Sequence, residues 1–342
     1  MPKISLIATV YNDIEGTRLF LRKMEQQTRR PDEIVICDAG SKDGTWDLLT
    51  SYEKNGSIPL RAMVEPRCRP ARGRNLAVAV ASHDVLAVTD VGCDWDDQWL
   101  EELAAPFEST PGLEAVMGSW TVRWEDQESA WAKADYALQN GLELRATPQS
   151  HSANRAIAYR KDFYLRIGGL PEDLTFAADD MTFALLIQKC GSMLAAAPIP
   201  RCYWFRPQAR RALLKEARRN FLGNGEAGIG LKHFVLVGGR MLLELAAFIW
   251  LPVAILGKFS LLTVVASTAI CVILLALRVS KWSARAKRFS VNGQEVSVVH
   301  LAVLDYLSRW YGLVGYVRGL ITGYSKCRQC RARLRAAGIG WS

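Results

Sequence analysis

Two aspartates follow apolar stretches of the chain at positions where they could do chemistry. Asp38 closes EIVICD, and Asp90 closes HDVLAVTD. A carboxylate can accept a proton or bind a hard divalent cation such as Mg²⁺. Gly92 stands two residues after Asp90 and offers no side-chain ligand. The stretch VTDVGCDW (88–95) is therefore either a metal site that lacks one ligand or a strand that ends in a turn.

The elements that must position these residues alternate between strand and helix patterns. Four β-rich runs are predicted as strands, at 4–10, 33–40, 59–64 and 83–90. Helical patterns separate them: Leu19, Leu21 and Met24 mark the first, and 47–53 and 72–82 are the next two. This is the alternation of a parallel α/β sheet, whose ligands bind beyond the carboxyl ends of the strands. We therefore expect one crevice to be lined by Thr9, Asn12, Asp38 and Asp90.

Two other classes of nucleotide-binding protein are excluded by missing glycine-rich loops. The sequence contains no G-x-x-x-x-G-K-[ST] loop, and no G-x-G-x-x-G follows the first predicted strand. Both loops are needed to cradle phosphates in their classes. The chain is therefore predicted to be neither a P-loop NTPase nor a dinucleotide dehydrogenase.

The net charge of +9 is concentrated in a few segments. Residues 206–219, 278–290 and 326–335 hold 16 of the 43 Lys and Arg residues and one Glu. The rest of the chain is acidic overall, which argues against a nucleic-acid-binding protein. Basic clusters beside apolar segments favour cytoplasmic anchors that face anionic lipid.

One apolar segment reads as two short membrane spans, 241–257 and 259–277. Basic residues flank the pair on both sides, which predicts that both ends face the cytoplasm. Glu244 leaves a re-entrant or interfacial hairpin as the alternative. Residues 298–324 are apolar but interrupted by charges, so we expect a helix on the membrane surface there.

The eight cysteines are scattered and lack the spacing of a disulfide scaffold, which predicts reduced thiols in the cytosol. Met1–Val10 does not have the pattern of a secretory signal. Cys327 and Cys330 form a CRQC motif that could be half of a zinc site. No second pair lies nearby in the sequence, so the motif is interpreted as part of a basic tail.

Six stretches in the right order resemble the family 2 glycosyltransferases, inverting enzymes with a Rossmann-like nucleotide-sugar fold called GT-A. They are IATVYND (7–13), ICDAGSKDGT (36–45), ARGRNLAVAVA (71–81), VTDVGCDW (88–95), SANRAIAYRKDFYLRIGGLPEDL (152–174) and AADDMTFALLIQKCG (177–191). The resemblance implies a mixed, mostly parallel sheet in a catalytic domain over 1–230. A membrane hairpin over 231–278 would follow, and then a basic segment, interfacial helix and basic tail over 279–342.

The resemblance also assigns donor binding to residues of the crevice. Asp38 would contact the nucleoside, although turn chemistry in DAGSKDGT is the alternative for it. Thr9 and either Arg72 or Arg74 would hold the base. An Arg-rich helix, 215–228, would bring Arg218 or Arg219 to the leaving diphosphate, or else lie in solvent or against lipid. The remaining nucleotide-sugar-binding residues implied by the resemblance are Tyr11, Asn12, Asp90, Asn154 and Arg155.

In this family a second carboxylate two residues after the first binds Mg²⁺ or Mn²⁺ directly. Gly92 takes its place here, so the resemblance implies a weakened metal site. Asp90 would hold the cation together with the diphosphate and waters, with Asp94 or His151 as a further candidate ligand. The structural alternative is that the aspartates of DWDDQWLEEL open a helix.

The catalytic base of the family is an aspartate in an acidic pair at the start of a helix. GGLPEDL followed by AADDMTF matches this pattern and assigns the role to Asp180. Asp179 would raise the proton affinity of Asp180 or bind the acceptor. A helix N-cap pair is the structural alternative for both residues.

These features predict a membrane-anchored, inverting, non-processive glycosyltransferase, since the Gln-x-x-Arg-Trp signature of processive synthases is absent. It would move one sugar from a nucleotide-diphosphate sugar to an acceptor hydroxyl, on a lipid-linked or other glycan, at the cytoplasmic face of the inner membrane. Two alternatives are transfer to polyprenyl phosphate or diacylglycerol, and a catalytically inactive scaffold that binds nucleotide sugars.

Overall fold

A computed structural model describes residues 2–151, 154–175, 177–191, 193–290 and 295–339. Within these ranges the strands are β1 (Ile4–Val10), β2 (Glu33–Asp38), β3 (Leu60–Val64), β4 (Val85–Val88), β5 (Cys93–Trp95), β6 (Ala115–Thr121), β7 (Glu143–Leu144), β8 (Ile157–Arg160) and β9 (Leu194–Trp204). The helices are α1 (Ile14–Gln26), α2 (Thr45–Asn55), α3 (Pro70–Val80), α4 (Trp99–Ser109), α5 (Ala130–Leu138), α6 (Lys161–Arg166), α7 (Asp179–Cys190), α8 (Arg210–Ala227), α9 (Leu231–Leu256), α10 (Leu261–Phe289), α11 (Val298–Lys326) and α12 (Arg328–Ala336). Ser152 and Ala153, which belong to one of the six matching stretches, lie outside the described residues.

These elements form two compact units. The first consists of the described residues of Met1–Asp126, Leu142–Arg206 and Thr322–Gly340, and it contains all the strands named above. The second consists of Gln127–Gly141 and Pro207–Ile321. The structure thus divides the chain differently from the three consecutive segments expected from the sequence, because the α5 region groups with the C-terminal helices and α12 groups with the sheet.

The first unit is built on one mixed sheet. Its strand order is β3-β2-β1-β4-β8-β6-β9-β5, and β7 pairs with β6. The first four strands of this order are parallel. β8 is antiparallel to both of its neighbours, and β9 runs parallel to β6. The mostly parallel α/β sheet predicted from the sequence is confirmed.

The apolar residues of the strands alternate between two cores. Leu6 lies in the same core as Phe20 of α1 and Trp99 of α4. On the opposite face, Ile7 lies in the same core as Phe163 of α6 and Phe183 of α7. Because helices cover both faces of the parallel strands, these strands are apolar along most of their length. β4, with the sequence VLAV, is buried at every position.

The order of the strands creates a crevice at one edge of the sheet. β1 lies between β2 and β4, so the direction in which strands are added reverses at β1. Val10 pairs with Asp38 at the carboxyl ends of β1 and β2, and Asp90 follows the end of β4 by two residues. Ligands of open α/β sheets bind at such a reversal point. Asp38 and Asp90 are therefore placed where the sequence predicts.

The C-terminal helix α12 packs on the loop that precedes α7. The carboxylate of Asp173 accepts hydrogen bonds from the backbone N–H groups of Gln329 (2.9 Å) and Cys330 (3.1 Å), so it caps the N-terminus of α12. Arg333 donates from Nη2 to the carbonyl oxygens of Ile167 (2.7 Å) and Gly169 (2.6 Å). The segment interpreted from the sequence as a basic tail thus has packing partners in the sheet-containing unit.

The CRQC cysteines are part of this packing. Cys327 and Cys330 are both buried, and the Cys327 thiol lies 3.0 Å from the carbonyl oxygen of Asp173. Burial raises the pKa of Cys330 to about 12, which keeps it a thiol. The described part of the chain contains no group of three or more His, Cys, Asp or Glu residues that could hold a metal ion.

The second unit contains two helices long and apolar enough to cross a membrane, α9 and α10. Their mean hydropathy reaches 1.8 and 2.3 in the most apolar window of each helix. Both helices extend beyond the spans predicted from the sequence, and a short tip at 257–260 joins them. Lys258 in this tip has a left-handed backbone, with φ of 51°, as a tight reversal requires.

A buried network of ion pairs joins the helices of the second unit. Arg278 of α10 donates to Glu244 of α9 from Nη2 (2.8 Å) and Nε (3.0 Å), and its Nη1 lies 3.5 Å from Asp305 of α11. A buried carboxylate among apolar helices is tolerated when a cation pairs with it. Glu244, which left an interfacial hairpin as an alternative in the sequence, is neutralised in this way.

Candidate active site

A cavity of about 430 Å³ lies at the carboxyl ends of β1 and β2 and the start of α3. It is lined by Thr9, Val10, Tyr11, Ala39, Arg67, Cys68, Arg69 and Pro70. Tyr11 is 60% exposed and forms part of the rim. The lining combines apolar surface with cationic side chains, a composition suited to a base and a phosphate group.

Asp38 is fully buried, and its two carboxylate oxygens have different surroundings. Oδ1 accepts hydrogen bonds from the backbone N–H groups of Gly40 (3.0 Å) and Ser41 (2.9 Å) and from the Ser41 hydroxyl (2.7 Å). Oδ2 is buried and has no hydrogen-bond partner among the described residues. A buried acceptor of this kind calls for a partner. One oxygen thus closes the turn while the other can accept a bond from a ligand.

Asn12 holds the loop after β2 against the end of β1. Its side-chain amide oxygen accepts a hydrogen bond from the backbone N–H of Lys42 (2.8 Å). The backbone N–H of Asn12 donates to Ser41 Oγ (2.8 Å). Asn12 has φ of 49°, a left-handed conformation that Asn tolerates better than most residues. Its contacts are those of a positioning residue.

Arg74 connects two parts of the crevice. Its Nη2 donates to Asp90 Oδ1, and its Nη1 lies 3.3 Å from Asp179 Oδ2. Arg72 is two residues away on α3 and therefore on another face of the helix. It is exposed and pairs with Glu172 at 3.3 Å. Of the two arginines that the sequence left as alternatives, Arg74 is the one beside Asp90.

Arg155 approaches the other oxygen of Asp90, with 3.9 Å between its Nε and Asp90 Oδ2. Its guanidinium lies over Trp204, 3.6 Å from the ring centroid, and 5.1 Å from the ring centroid of Trp120. The carbonyl oxygen of Arg155 accepts a hydrogen bond from Thr89 Oγ1 at 2.7 Å. Arg155 is thus fixed through both its backbone and its side chain.

Asp179 and Asp180 begin α7, as the sequence predicts. Ala178 precedes them with φ of 66°, an unfavourable conformation for alanine that recurs at functional sites. Burial and the neighbouring charge of Asp180 together raise the pKa of Asp179 to about 6, although Arg74 opposes the shift. Asp180 is partly exposed. An acidic pair of which one member stays accessible could accept a proton from a ligand.

Comparison with known proteins identifies the family. Residues 5–167 match the family model described as glycosyl transferase family 2. These residues form a family 2 glycosyltransferase domain. Asp179 and Asp180 lie beyond the matched residues, so their roles in this transferase stay predictions.

Characterised relatives support the same activity. The chain is 25% identical over 284 residues to the O-antigen chain rhamnosyltransferase WbaN of Salmonella anatum, which covers 76% of this chain and 87% of the relative. It is 30% identical over 101 residues to the UDP-Glc:alpha-D-GlcNAc-diphosphoundecaprenol beta-1,3-glucosyltransferase WfaP of Escherichia coli, over 29% of this chain and 38% of WfaP. These relatives support the conclusion that the chain is a glycosyltransferase.

A solved structure shows the same fold. The mannosyltransferase PcManGT from Pyrobaculum calidifontis, in complex with GDP-Man and Mn²⁺, superposes with a TM-score of 0.52 at 19% identity. The match covers 95% of this chain and 87% of PcManGT. The GT-A fold implied by the sequence is thereby confirmed.

The residues around Asp90 do not form a set of metal ligands. Each oxygen of Asp90 faces a guanidinium, and Gly92 supplies no side chain. Asp94, a candidate ligand, lies on β5 and pairs with Lys23 (3.4 Å) and Arg123 (3.0 Å). The described residues include no cluster of three carboxylate, His or Cys ligands. The Mg²⁺ or Mn²⁺ site predicted at Asp90 thus has a single carboxylate that is already paired.

Other predicted positions have separate outcomes. Asn154 is buried in the turn before β8, and His151 is exposed. Arg219 lies on an exposed face of α8 in the second unit. The predicted helix DDQWLEEL begins only at Trp99, because β5 ends at Trp95 and a turn intervenes.

Sequence reasoning missed several residues that shape the site. Asn75 donates to the Leu170 carbonyl (3.0 Å) and to Glu172 (2.7 Å), and its amide oxygen accepts from Tyr164 and from the Leu170 N–H (3.1 Å). It therefore holds the loop that leads towards α7. The position of Asn75 directly after Arg74 in RGRN was the available signal. The aromatic support of Arg155 had none, because Trp120 and Trp204 are distant in sequence.

Proposed function

We propose that this glycosyltransferase moves a single sugar from a nucleotide-diphosphate sugar to an acceptor hydroxyl with inversion at the anomeric carbon. The observation that carries the proposal is the pair of contacts of Arg74, which brings Asp90 from the end of β4 together with Asp179 from the start of α7. The crevice then has cationic groups for a diphosphate next to a carboxylate pair for an acceptor.

The donor nucleoside is proposed to occupy the cavity beside Asp38. The unpartnered Oδ2 of Asp38 would accept a hydrogen bond from the nucleoside, while Thr9 and Tyr11 contact the base. Asn12 would keep the loop after β2 in place. Asp90 and Asn154 are proposed to face the ribose or the donor sugar.

The transfer step needs a base and a stabilised leaving group. The acceptor oxygen forms a bond to the anomeric carbon while the bond from that carbon to the diphosphate oxygen breaks. The electron pair of the broken bond stays on the nucleoside diphosphate, and the acceptor proton passes to the Asp180 carboxylate. Asp179, which Arg74 holds, is proposed to orient the acceptor and to favour protonation of Asp180.

The acceptor is proposed to be a lipid-linked glycan at the cytoplasmic face of the inner membrane. α9 and α10 have the length and composition of a membrane anchor. The name of the relative WfaP specifies a diphosphoundecaprenol-linked acceptor for that enzyme. An anchor confines the active site to the plane in which such an acceptor lies, and so raises its effective concentration. Transfer to polyprenyl phosphate or diacylglycerol is the alternative.

The first test uses the full-length protein in detergent with a panel of nucleotide sugars and Asp180→Asn. We expect one donor to be transferred or slowly hydrolysed by the wild type. Asp180→Asn should lower the transfer rate by at least ~100-fold, which is the rate enhancement that a general base usually contributes. Donor affinity should stay within about threefold, since the substitution keeps the size of the side chain and removes no group assigned to the donor.

Asp162→Asn is the matched control, because Asp162 lies exposed on α6. Transfer by Asp180→Asn at the wild-type rate would show that another group takes the proton. Binding of donors without any turnover would instead support a scaffold that only binds nucleotide sugars.

A further inference from the structure

The strand end at Asp90 has an unusual balance of charge for a site that handles a diphosphate. Asp90 faces two guanidinium groups, one of which it shares with Asp179, and position 92 is a glycine. A site that binds the diphosphate through a metal ion needs carboxylates directed at that ion. Here the positive charge is already supplied by side chains.

The two arginines differ in how much of their charge is already paired. Arg74 contacts both Asp90 and Asp179, at least one of them through a close hydrogen bond. Arg155 has only the longer 3.9 Å approach to Asp90, whereas the buried Nε atoms of both arginines make no hydrogen bond within the described ranges. Arg155 is therefore the cation with more capacity for an incoming anion.

The surroundings of Arg155 hold it in place for such a role. Its guanidinium lies over Trp204, and its backbone carbonyl accepts a hydrogen bond from Thr89, one residue before Asp90. Thr89 Oγ1 in turn accepts from Trp95 Nε1 at 2.9 Å. Stacking on an aromatic face leaves the in-plane N–H groups of a guanidinium available for a bidentate bond to phosphate.

We propose that Arg155 binds the diphosphate of the donor in place of a metal ion, so that transfer proceeds without a divalent cation. This inference rests on the function proposed above. As the bond from the anomeric carbon to the diphosphate breaks, its electron pair passes to the β-phosphate oxygen, to which Arg155 donates hydrogen bonds. Arg155 keeps its own protons, and the proton of the acceptor goes to Asp180.

Gly92 is a position at which a metal-binding carboxylate can be introduced into the same protein. A Cβ added at Gly92 meets no atom within 4 Å, and the glycine is not among the residues with positive φ. Gly92→Asp is therefore expected to fold and to place a second carboxylate near Asp90. It provides the ligand that a metal-dependent relative would use.

The test compares wild type, Arg155→Gln, Arg155→Lys and the double variant Gly92→Asp/Arg155→Gln, each with EDTA, Mg²⁺ or Mn²⁺. Two quantities are measured on the full-length protein in detergent. They are the turnover of the donor that the nucleotide-sugar panel identifies, and the affinity for the corresponding nucleoside diphosphate. Arg166→Gln is the matched control, because Arg166 is exposed and pairs with Glu114, and neither residue is assigned to the donor or the acceptor. Thermal melting checks that each variant is folded.

We expect wild-type turnover with EDTA to stay within about twofold of that with Mn²⁺. Arg155→Gln should lose ~100-fold in turnover, the usual effect of removing one donor from a developing negative charge, and should weaken nucleoside diphosphate binding in EDTA. Arg155→Lys should retain part of the turnover and part of the affinity for the nucleoside diphosphate. The double variant should recover turnover with Mn²⁺ and lose it again with EDTA.

The inference is overturned if EDTA abolishes wild-type turnover and Mn²⁺ restores it, or if folded Arg155→Gln binds and turns over like wild type. Either result leaves the proposed sugar transfer intact. If the wild type binds donors but turns none of them over, the affinity for the nucleoside diphosphate in EDTA tests the inference instead. An affinity of Arg155→Gln equal to that of the wild type then overturns it. Failure of the wild type to bind any nucleotide sugar would overturn the proposed function as well.

Discussion

At the scale of single residues, Asp38 combines two roles that the sequence presented as alternatives. Its Oδ1 closes the turn over Gly40 and Ser41, and its Oδ2 is left for a ligand. A carboxylate has enough acceptor positions for both. Turn chemistry and nucleoside contact therefore do not compete at this position.

Asp38→Ala is expected to weaken donor binding by at least ~10-fold, because a hydrogen bond to a charged group contributes about 1.5–3 kcal/mol. Ser41→Ala separates the two roles, since it removes one bond of the turn but keeps the carboxylate. Calorimetric titration with the donor measures both variants, with Asp47→Ala on the exposed face of α2 as the control. Equal affinities for folded Asp38→Ala and wild type would leave Asp38 a turn residue only.

Residues at strand ends could be predicted from the sequence because their positions follow from local patterns. Asp38 and Asp90 each end an apolar run, and the sheet brings such ends together. The choice between Arg72 and Arg74 could not be made, since it depends on the face that α3 turns to the sheet. The position of Asp94 on a strand could not be predicted, because β5 pairs with β9 and that pairing joins segments far apart in the chain.

At the scale of secondary-structure elements, α12 is positioned by a cap from another part of the chain. Asp173 accepts from the backbone N–H groups of the first turn of α12, and no residue of α12 does this itself. The same carboxylate ties the helix to the loop before α7 and so to the acidic pair. The sequence could not predict this, because the basic composition of α12 is equally typical of a lipid-facing tail.

Asp173→Ala should destabilise the protein by about 1–3 kcal/mol, since it leaves N–H groups of a helix terminus without their charged acceptor. It should also lower turnover several-fold by loosening the loop before Asp179 and Asp180. Denaturant unfolding and donor turnover give the two readouts. Glu108→Ala, on an exposed turn of α4, is the control, and a turnover that is unchanged after a measurable loss of stability would disconnect α12 from the active site.

At the scale of the whole molecule, the first unit contains segments that precede the apolar helices in the sequence and a segment that follows them. Residues before Arg206 and after Thr322 belong to the same compact unit, and α9 and α10 lie between them. In the membrane-anchored enzyme proposed above, both segments would therefore lie on the same side of the membrane. The number of crossings between them would be even, as it is for two spans.

Tags placed before β1 and after α12 should accordingly be protected or digested together when sealed vesicles are treated with protease. A tag at the hairpin tip, 257–260, should show the opposite behaviour if α9 and α10 cross the membrane. Detergent lysis, which exposes all three tags, is the control. Opposite behaviour of the two end tags would contradict the assignment of α12 to the first unit.

The position of α12 also imposes an order in time on the synthesis of the enzyme. The ribosome makes the sheet and α7 first, then the apolar hairpin, and only afterwards the helix that Asp173 caps. Domains generally fold as units while the chain is being made. The catalytic unit of this transferase can be completed only once the anchor has been translated, so a nascent chain that has not yet produced its anchor still lacks part of its active fold.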